Sequence, residues 1–133
     1  MDGFDKLRLL DRAVTASTNS IVITDPNQPD DPLVYVNPAF ERTTGYPAEE
    51  ALGRNCRFLQ SEDHDQPALE ELRTAIYEER HCTVVLRNYR KDGTLFWNEL
   101  SVYPVRGEEG HMTNLVGVQN DVTERVRAEE VLS

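Results

Sequence analysis

Apolar residues recur at two different periods along this chain, and the change of period divides it. Between residues 4 and 17, Phe4, Leu7, Leu10, Ala13 and Val14 stand at helical spacing, which predicts an amphipathic helix in need of a partner surface. Two short apolar runs follow, 21–24 and 33–36, predicting paired strands around Asp25-Pro26-Asn27-Gln28-Pro29-Asp30-Asp31-Pro32. That acidic stretch lacks the spacing of a calcium loop, so it is expected to be a rigid, solvated connection. Asn37-Pro38 reads as an N-cap followed by proline at the first helical position, with Gly45 closing a short helix. A second short helix is expected from Pro47 to Gly53. A longer one, capped by Asp65, carries Leu69, Leu72, Ala75 and Ile76 on one face and ends near Arg80.

From His81 onward the period is two. Strands are predicted over 82–90, 94–105 and 112–120, joined at Lys91-Asp92-Gly93 and Gly107-Glu108-Glu109-Gly110, both glycine turns of hairpin type. Asp121-Val122-Thr123-Glu124 has the form of a capping box and opens a charged helix, expected to lead on as a linker. Two strands, several helices and a three-strand meander predict an α+β domain: a five-stranded antiparallel sheet with helices on one face. The expected organisation is an N-terminal helix over 1–18, a core over 19–122 and a linker helix over 123–133.

At 133 residues the chain fits one domain able to bury a core without staples. No apolar run approaches the roughly 20 residues of a membrane helix, and the acidic start is unlike a secretory signal, so a cytoplasmic protein without membrane contact is expected. Asp+Glu 24 against Lys+Arg 14 gives a net charge of -10, which argues against direct nucleic-acid binding. In such a compartment Cys56 and Cys82 are expected to stay reduced, so each thiol needs its own explanation.

The most informative segment is Gly53-Arg54-Asn55-Cys56-Arg57-Phe58-Leu59-Gln60. It resembles the G-x-N-C-R-F-L-Q motif of light-oxygen-voltage (LOV) domains, flavin-binding members of the PAS superfamily. The resemblance continues through Asn88-Tyr89-Arg90-Lys91-Asp92-Gly93, Phe96-Trp97-Asn98 and Gly117-Val118-Gln119, and so covers roughly residues 20 to 123. It implies a PAS fold and a blue-light sensor without turnover, hence not an enzyme. It also implies the photochemistry: light excites FMN, the Cys56 sulfur adds to flavin carbon 4a, N5 is protonated, and the adduct reverts in darkness. The resemblance places Thr24, Asn55, Gln60 and Leu100 about the flavin, Leu100 standing where an aromatic is frequent. Arg57 and Arg73 match the two arginines that hold the ribityl phosphate, a task for which a planar donor fork is suited.

The residues carry a reading of their own. Asn88 and Asn98 lie at even spacing from apolar neighbours, Leu86 before the first and Phe96 and Leu100 around the second, so both are expected on the buried face. A three-residue turn with a glycine bulge at Asp92-Gly93 would keep the two strands in phase. Buried amides without partners cost about 1 to 3 kcal/mol each, so something polar should lie over this sheet, unless both are ordinary strand asparagines bonded to backbone. Gln119 shares its face with Gly117 and Leu115, and Gly117 leaves room for a ring to approach. His64, His81 and His111 are isolated, Ser61-Glu62-Asp63-His64-Asp65 reads as a solvated acidic loop, and no metal site is expected. Cys82 lies outside the family motifs and reads as structural. No nicotinamide, phosphate-loop or hydrolase signature occurs. Two alternatives stand beside the sensor: a PAS-type dimerisation module without photochemistry, which would be colourless, and a small flavin redox protein. A homodimer through the flanking helices or the sheet face is expected.

Overall fold

The computed structural model describes residues 3–132; the expected apolar contribution of Phe4, and Ser133 itself, lie outside what it describes. Helix α1 (Gly3–Ala16) precedes strands β1 (Ser20–Thr24) and β2 (Leu33–Val36). Helices α2 (Pro38–Thr44) and α3 (Ala48–Ala51), a 3-10 helix (Cys56–Gln60) and α4 (Pro67–Tyr77) then fill the middle of the chain. Strands β3 (Cys82–Tyr89), β4 (Leu95–Arg106) and β5 (Met112–Asp121) form the meander, and α5 (Thr123–Leu132) follows. All pairings are antiparallel, in the order β2-β1-β5-β4-β3, so the first strand and the last lie side by side at the centre. The α+β reading and the five-stranded sheet agree with this architecture.

Local chemistry accounts for most element boundaries. The Asn37 side chain accepts from Phe40 N at 3.2 Å, Pro38 opens α2, and Gly45 ends it at φ 77, where a side chain would be strained. Asn37 does more than cap: its amide also donates to Val14 O and Asn19 O and accepts from Ile21 N, binding the end of α1 to the start of β1. Helix α1 otherwise leaves Leu7, Leu9 and Leu10 exposed. The turn after β3 has three residues, since Arg90 N donates to Thr94 O and Gly93 sits at φ 88. Asn88 therefore pairs with Phe96, and Asn98 with Leu86, keeping the two asparagines on one face.

Several expectations need correction. Asp65 does not cap α4: Pro67 fixes the first turn, Gln66 occupies the cap position, and α4 ends at Tyr77, short of Arg80. The Gln66 side chain is instead spent on β3, accepting from Arg87 N at 2.7 Å and donating to Arg87 O at 3.0 Å. Loop 61–65 is more than a solvated acidic stretch, because Asp63 pairs with Arg87 at 2.6 Å and accepts from Tyr89 Oη at 2.7 Å. The capping box at Asp121 closes only in part. Asp121 accepts from Thr123 N at 3.0 Å while remaining a ladder residue opposite Asn98, and among the described residues Glu124 makes no bond back to it.

The apolar interior is split. Val22, Leu33, Val36, Phe40, Ala51 and Leu59 form one cluster, and Leu69, Ala75, Cys82, Val84 and Leu86 another. Between them, the inner face of the sheet is not filled by the chain's own side chains.

Candidate functional site

A cavity of about 260 Å³ occupies that interval. Its floor is the sheet and its roof the 3-10 helix and α4, and all eleven residues singled out from the sequence line it: Cys56, Thr24, Asn55, Arg57, Gln60, Arg73, Asn88, Asn98, Leu100, Gly117 and Gln119. The even period of the strands brings the sheet residues together. Gln119 lies between Ser20 and Leu100, and Gly117 between Val22 and Val102, in two adjacent rows.

At the sheet end the polar groups are amides. Asn98 Nδ2 donates to Asn88 Oδ1 at 2.9 Å, and Asn88 Nδ2 donates to Arg87 O at 2.9 Å. The bonded-to-backbone alternative therefore describes half of one amide only, for Asn98 Oδ1 is buried without any partner. Ser20 Oγ donates to Gln119 Oε1 at 2.7 Å, and Ser20 is fully buried. Ser20 was not singled out from the sequence; its signal was the even spacing Ser20, Val22, Thr24, which places it on the buried face. A Cβ on Gly117 would stand 2.9 Å from Val22 Cγ2 and 3.3 Å from Leu100 Cδ1, so the glycine keeps this row open.

At the roof the 3-10 helix begins at Cys56. Asn55 caps it by accepting from Arg57 N at 2.9 Å, and Asn55 Nδ2 donates to Asp30 O at 2.8 Å. Arg57 closes bidentately on Asp30, at 2.8 and 2.6 Å, with both side chains exposed at the mouth. Arg73, also exposed, makes no ion pair among the described residues. Gln60 Oε1 lies 3.0 Å from His64 Nδ1. Thr24 Oγ1 is buried at the cavity wall with no hydrogen bond.

The acidic turn overturns its expected reading. Asp30 and Asp31 both adopt positive φ, 65 and 48, and Asp31 turns inward to line the cavity with Oδ1 buried and unpartnered. Burial holds the Asp31 carboxyl above the ordinary carboxylate range, opposed by the nearby Thr24 hydroxyl, although those oxygens do not meet hydrogen-bond geometry. Cys56 as a whole is half-buried, yet its sulfur is desolvated: burial first, and the Asp31 charge second, push the thiol up to about 12. It is a protonated thiol at neutral pH, unlike an activated thiolate nucleophile. Cys82 is buried at the head of β3 and its thiol is likewise raised by burial. Among the described residues no group of three His, Cys, Asp or Glu side chains could hold a metal.

These features fit a flat, polar-edged ligand. Asn98 Oδ1, Thr24 Oγ1 and Asp31 Oδ1 are three orphaned oxygens on one cavity, each costly to bury unless a further group completes it. Apolar walls from Val22, Leu59, Leu86, Leu100, Val102 and Leu115 suit a ring body between them.

Comparison with known proteins agrees with that fit. The PAS domain model matches residues 18–124. A blue-light photoreceptor of Listeria monocytogenes is 44% identical over 123 residues, which is 92% of this chain and 48% of that protein. Blue-light-activated histidine kinase 1 of Erythrobacter litoralis is 48% identical over 122 residues, 92% of this chain and 34% of that protein. The chain thus spans about half or less of these relatives. Among solved structures, an RNA-binding light-oxygen-voltage receptor superposes with TM-score 0.94 at 45% identity, over 99% of this chain and 37% of that one. A light-oxygen-voltage domain studied with a flavin analogue superposes with TM-score 0.81 at 41% identity, over 98% of this chain and all of that one. No helix among the described residues is long and apolar enough to cross a membrane. The chain belongs to the PAS superfamily and, within it, to the light-oxygen-voltage family of blue-light sensor modules.

Proposed function

We propose that this chain senses blue light through FMN held in the cavity under Cys56, and that it switches without turning over a substrate. The observation that supports this most directly is the position of Cys56: a protonated thiol on the wall of a cavity whose other wall offers three buried carboxamides, Asn88, Asn98 and Gln119. A bound flavin supplies light absorption and the electrophilic carbon to which sulfur adds. The chain supplies the rest. Carboxamides offer both donors and acceptors to a ring edge that alternates the two. Gly117 and Leu100 leave the ring its space, and Thr24, Asn55 and Gln60 border it. Arg57 and Arg73 stand at the mouth, where a terminal phosphate would meet their donor forks, which favours FMN over riboflavin.

Output is read as a change in the contacts of α1 and α5. Helix α1 presents exposed Leu7, Leu9 and Leu10, and α5 presents Val131 and Leu132, apolar surface suited to a homodimer through the flanking helices. The RNA binding of the receptor named above belongs to that larger protein; a net charge of -10 does not favour nucleic-acid contact by this module.

The test is spectroscopic. The purified chain should be yellow, bleach under blue light and recover in darkness. Cys56→Ala should keep the flavin, lose the bleaching entirely and fluoresce more strongly, while Cys82→Ala keeps the photocycle. A Cys56→Ala protein that still bleaches reversibly would overturn the assignment, and a colourless wild type would return the chain to a dimerisation module.

A further inference from the structure

We propose that Asp31, whose Oδ1 is buried without a hydrogen bond in the cavity that Cys56 lines, sets the reactivity of the Cys56 sulfur and through it the rate at which the dark state returns. The inference rests on the assignment of Cys56 as the light-reactive residue, and Asp31 acts through it as a positioning residue.

Backbone ties place the two groups together. Leu33 N donates to Arg54 O at 2.8 Å, Gly53 N to Leu33 O at 2.9 Å, and Asn55 Nδ2 to Asp30 O at 2.8 Å, so the end of the acidic turn is laced to the segment that opens the 3-10 helix. Successive positive φ angles at Asp30 and Asp31 then send the two carboxylates apart. Asp30 goes outward to Arg57, and Asp31 goes into the cavity that Cys56 also lines, where its Oδ1 is buried without a hydrogen bond. Because the Arg57 fork is closed on Asp30, it reaches Asp31 only through space.

The groups facing Asp31 give the sign. Thr24 contributes a hydroxyl from the end of β1, Asp25 and Asp30 add negative charge from the same turn, and Arg57 adds one positive charge from the 3-10 helix. His64 and Arg73 line the same cavity from the loop before α4 and from α4 itself. Burial raises the Cys56 thiol first, and the charge of an ionised Asp31 on the same cavity raises it further, favouring S–H over the thiolate. Return to the dark state would break the carbon–sulfur bond with its electron pair going to sulfur, release the proton held on flavin N5 and return one proton to sulfur, so that protons and electrons balance without any oxidant or reductant. Ionised Asp31 opposes the negative charge growing on sulfur. Protonated Asp31 does not, and it can donate that proton itself. Recovery should therefore quicken as pH falls through the range in which Asp31 takes up a proton, a range that burial moves above the ordinary carboxylate value.

Asp31→Asn tests this, since asparagine tolerates positive φ and keeps the side-chain shape. The first measurement needs no light: iodoacetamide alkylation of the flavin-free chain, followed on the Cys56 peptide. The variant should react on the order of tenfold faster near neutral pH, the effect of removing one nearby unit charge. The second is dark recovery of the flavin-loaded chain as a function of pH. The variant should recover on the order of tenfold faster at neutral pH and lack the acid-side acceleration of the wild type. Unchanged Cys56 alkylation would overturn the proposal whatever the photochemistry does, and altered alkylation with an unaltered recovery profile would overturn the link to recovery. A wild type that never bleaches would defeat the light-sensing assignment instead, leaving the alkylation result to decide the role of Asp31.

Discussion

The two ends of the cavity are built from different chemistry. At the sheet end, Ser20, Asn88, Asn98 and Gln119 are buried, uncharged and joined in hydrogen-bonded pairs. At the mouth, Asp30, Arg57 and Arg73 are exposed and charged, with the half-buried Asp31 and Cys56 marking the boundary. A rigid neutral network in low dielectric fixes geometry and makes each misplaced proton expensive. An exposed ion pair is weak, screened and easily exchanged for another anion. On the proposed function, that difference would give recognition and switching of the ring to the sheet end, and retention of the charged tail to the mouth.

The largest way to break that division is at Gln119. It sits directly opposite Ser20 on the neighbouring strand and two residues before Asp121, where β5 gives way to α5. The family resemblance implies that Gln119 meets flavin N5, which would accept a hydrogen bond when oxidised and donate one when protonated; the Gln119 amide would then turn over or leave a mismatch of about 1 to 3 kcal/mol. The Ser20 hydroxyl can donate or accept and follows either orientation, so it does not absorb the mismatch. Free energy of this size shifts a two-state equilibrium roughly 5- to 150-fold. Gln119→Leu should still bond Cys56 while losing most of the light-minus-dark difference in hydrogen exchange over residues 121–132. An unchanged difference, with Cys56 reactivity verified, would remove Gln119 from the switching end.

The next effect belongs to the mouth. Replacing Arg57 and Arg73 together with Ala should weaken FMN binding to the apoprotein by about tenfold or more, and riboflavin binding much less, because only FMN carries the charge they read. Arg57 alone should contribute the smaller part, since it must leave Asp30 to reach the phosphate. Equal weakening of both ligands in a titration would show that the mouth does not read phosphate.

The contrast between the two ends is also a contrast in what the sequence reveals. Strand periodicity with an odd turn at Lys91-Asp92-Gly93 suffices to put Asn88 and Asn98 on one buried face, and the register bears this out. Ser20 is legible by the same rule, since it stands two residues before Val22 on β1. Asp31 was not legible. Whether an aspartate in a proline-rich turn points to water or into a cavity depends on two successive positive φ angles and on long-range ties to Arg54 and Asn55, none of which has a local pattern. The partners of Asp63 are hidden for the same reason, since Arg87 and Tyr89 lie on a strand more than twenty residues away.

Asp63 gives the smallest and most separable effect, because it does not line the cavity and its charge is spent on Arg87. Bidentate contact with Arg87 and a hydrogen bond from Tyr89 hold its carboxyl at about 2, below the ordinary 3.8. A carboxyl depressed in the folded state contributes stability that is fully present above its unfolded value and is lost as pH falls through its folded value. The window is therefore from about pH 4 down to about pH 2. Asp63→Asn keeps the size of the side chain but gives up the charge, so its thermal midpoint should lie slightly below wild type at neutral pH, and the two curves should converge as pH approaches 2. The ratio of FMN to riboflavin affinity should not move. A thermal midpoint that differs by the same amount at pH 7 and at pH 2 would show that the ion pair is not the source of the difference. A changed affinity ratio would show that the loop before α4 belongs to the mouth after all.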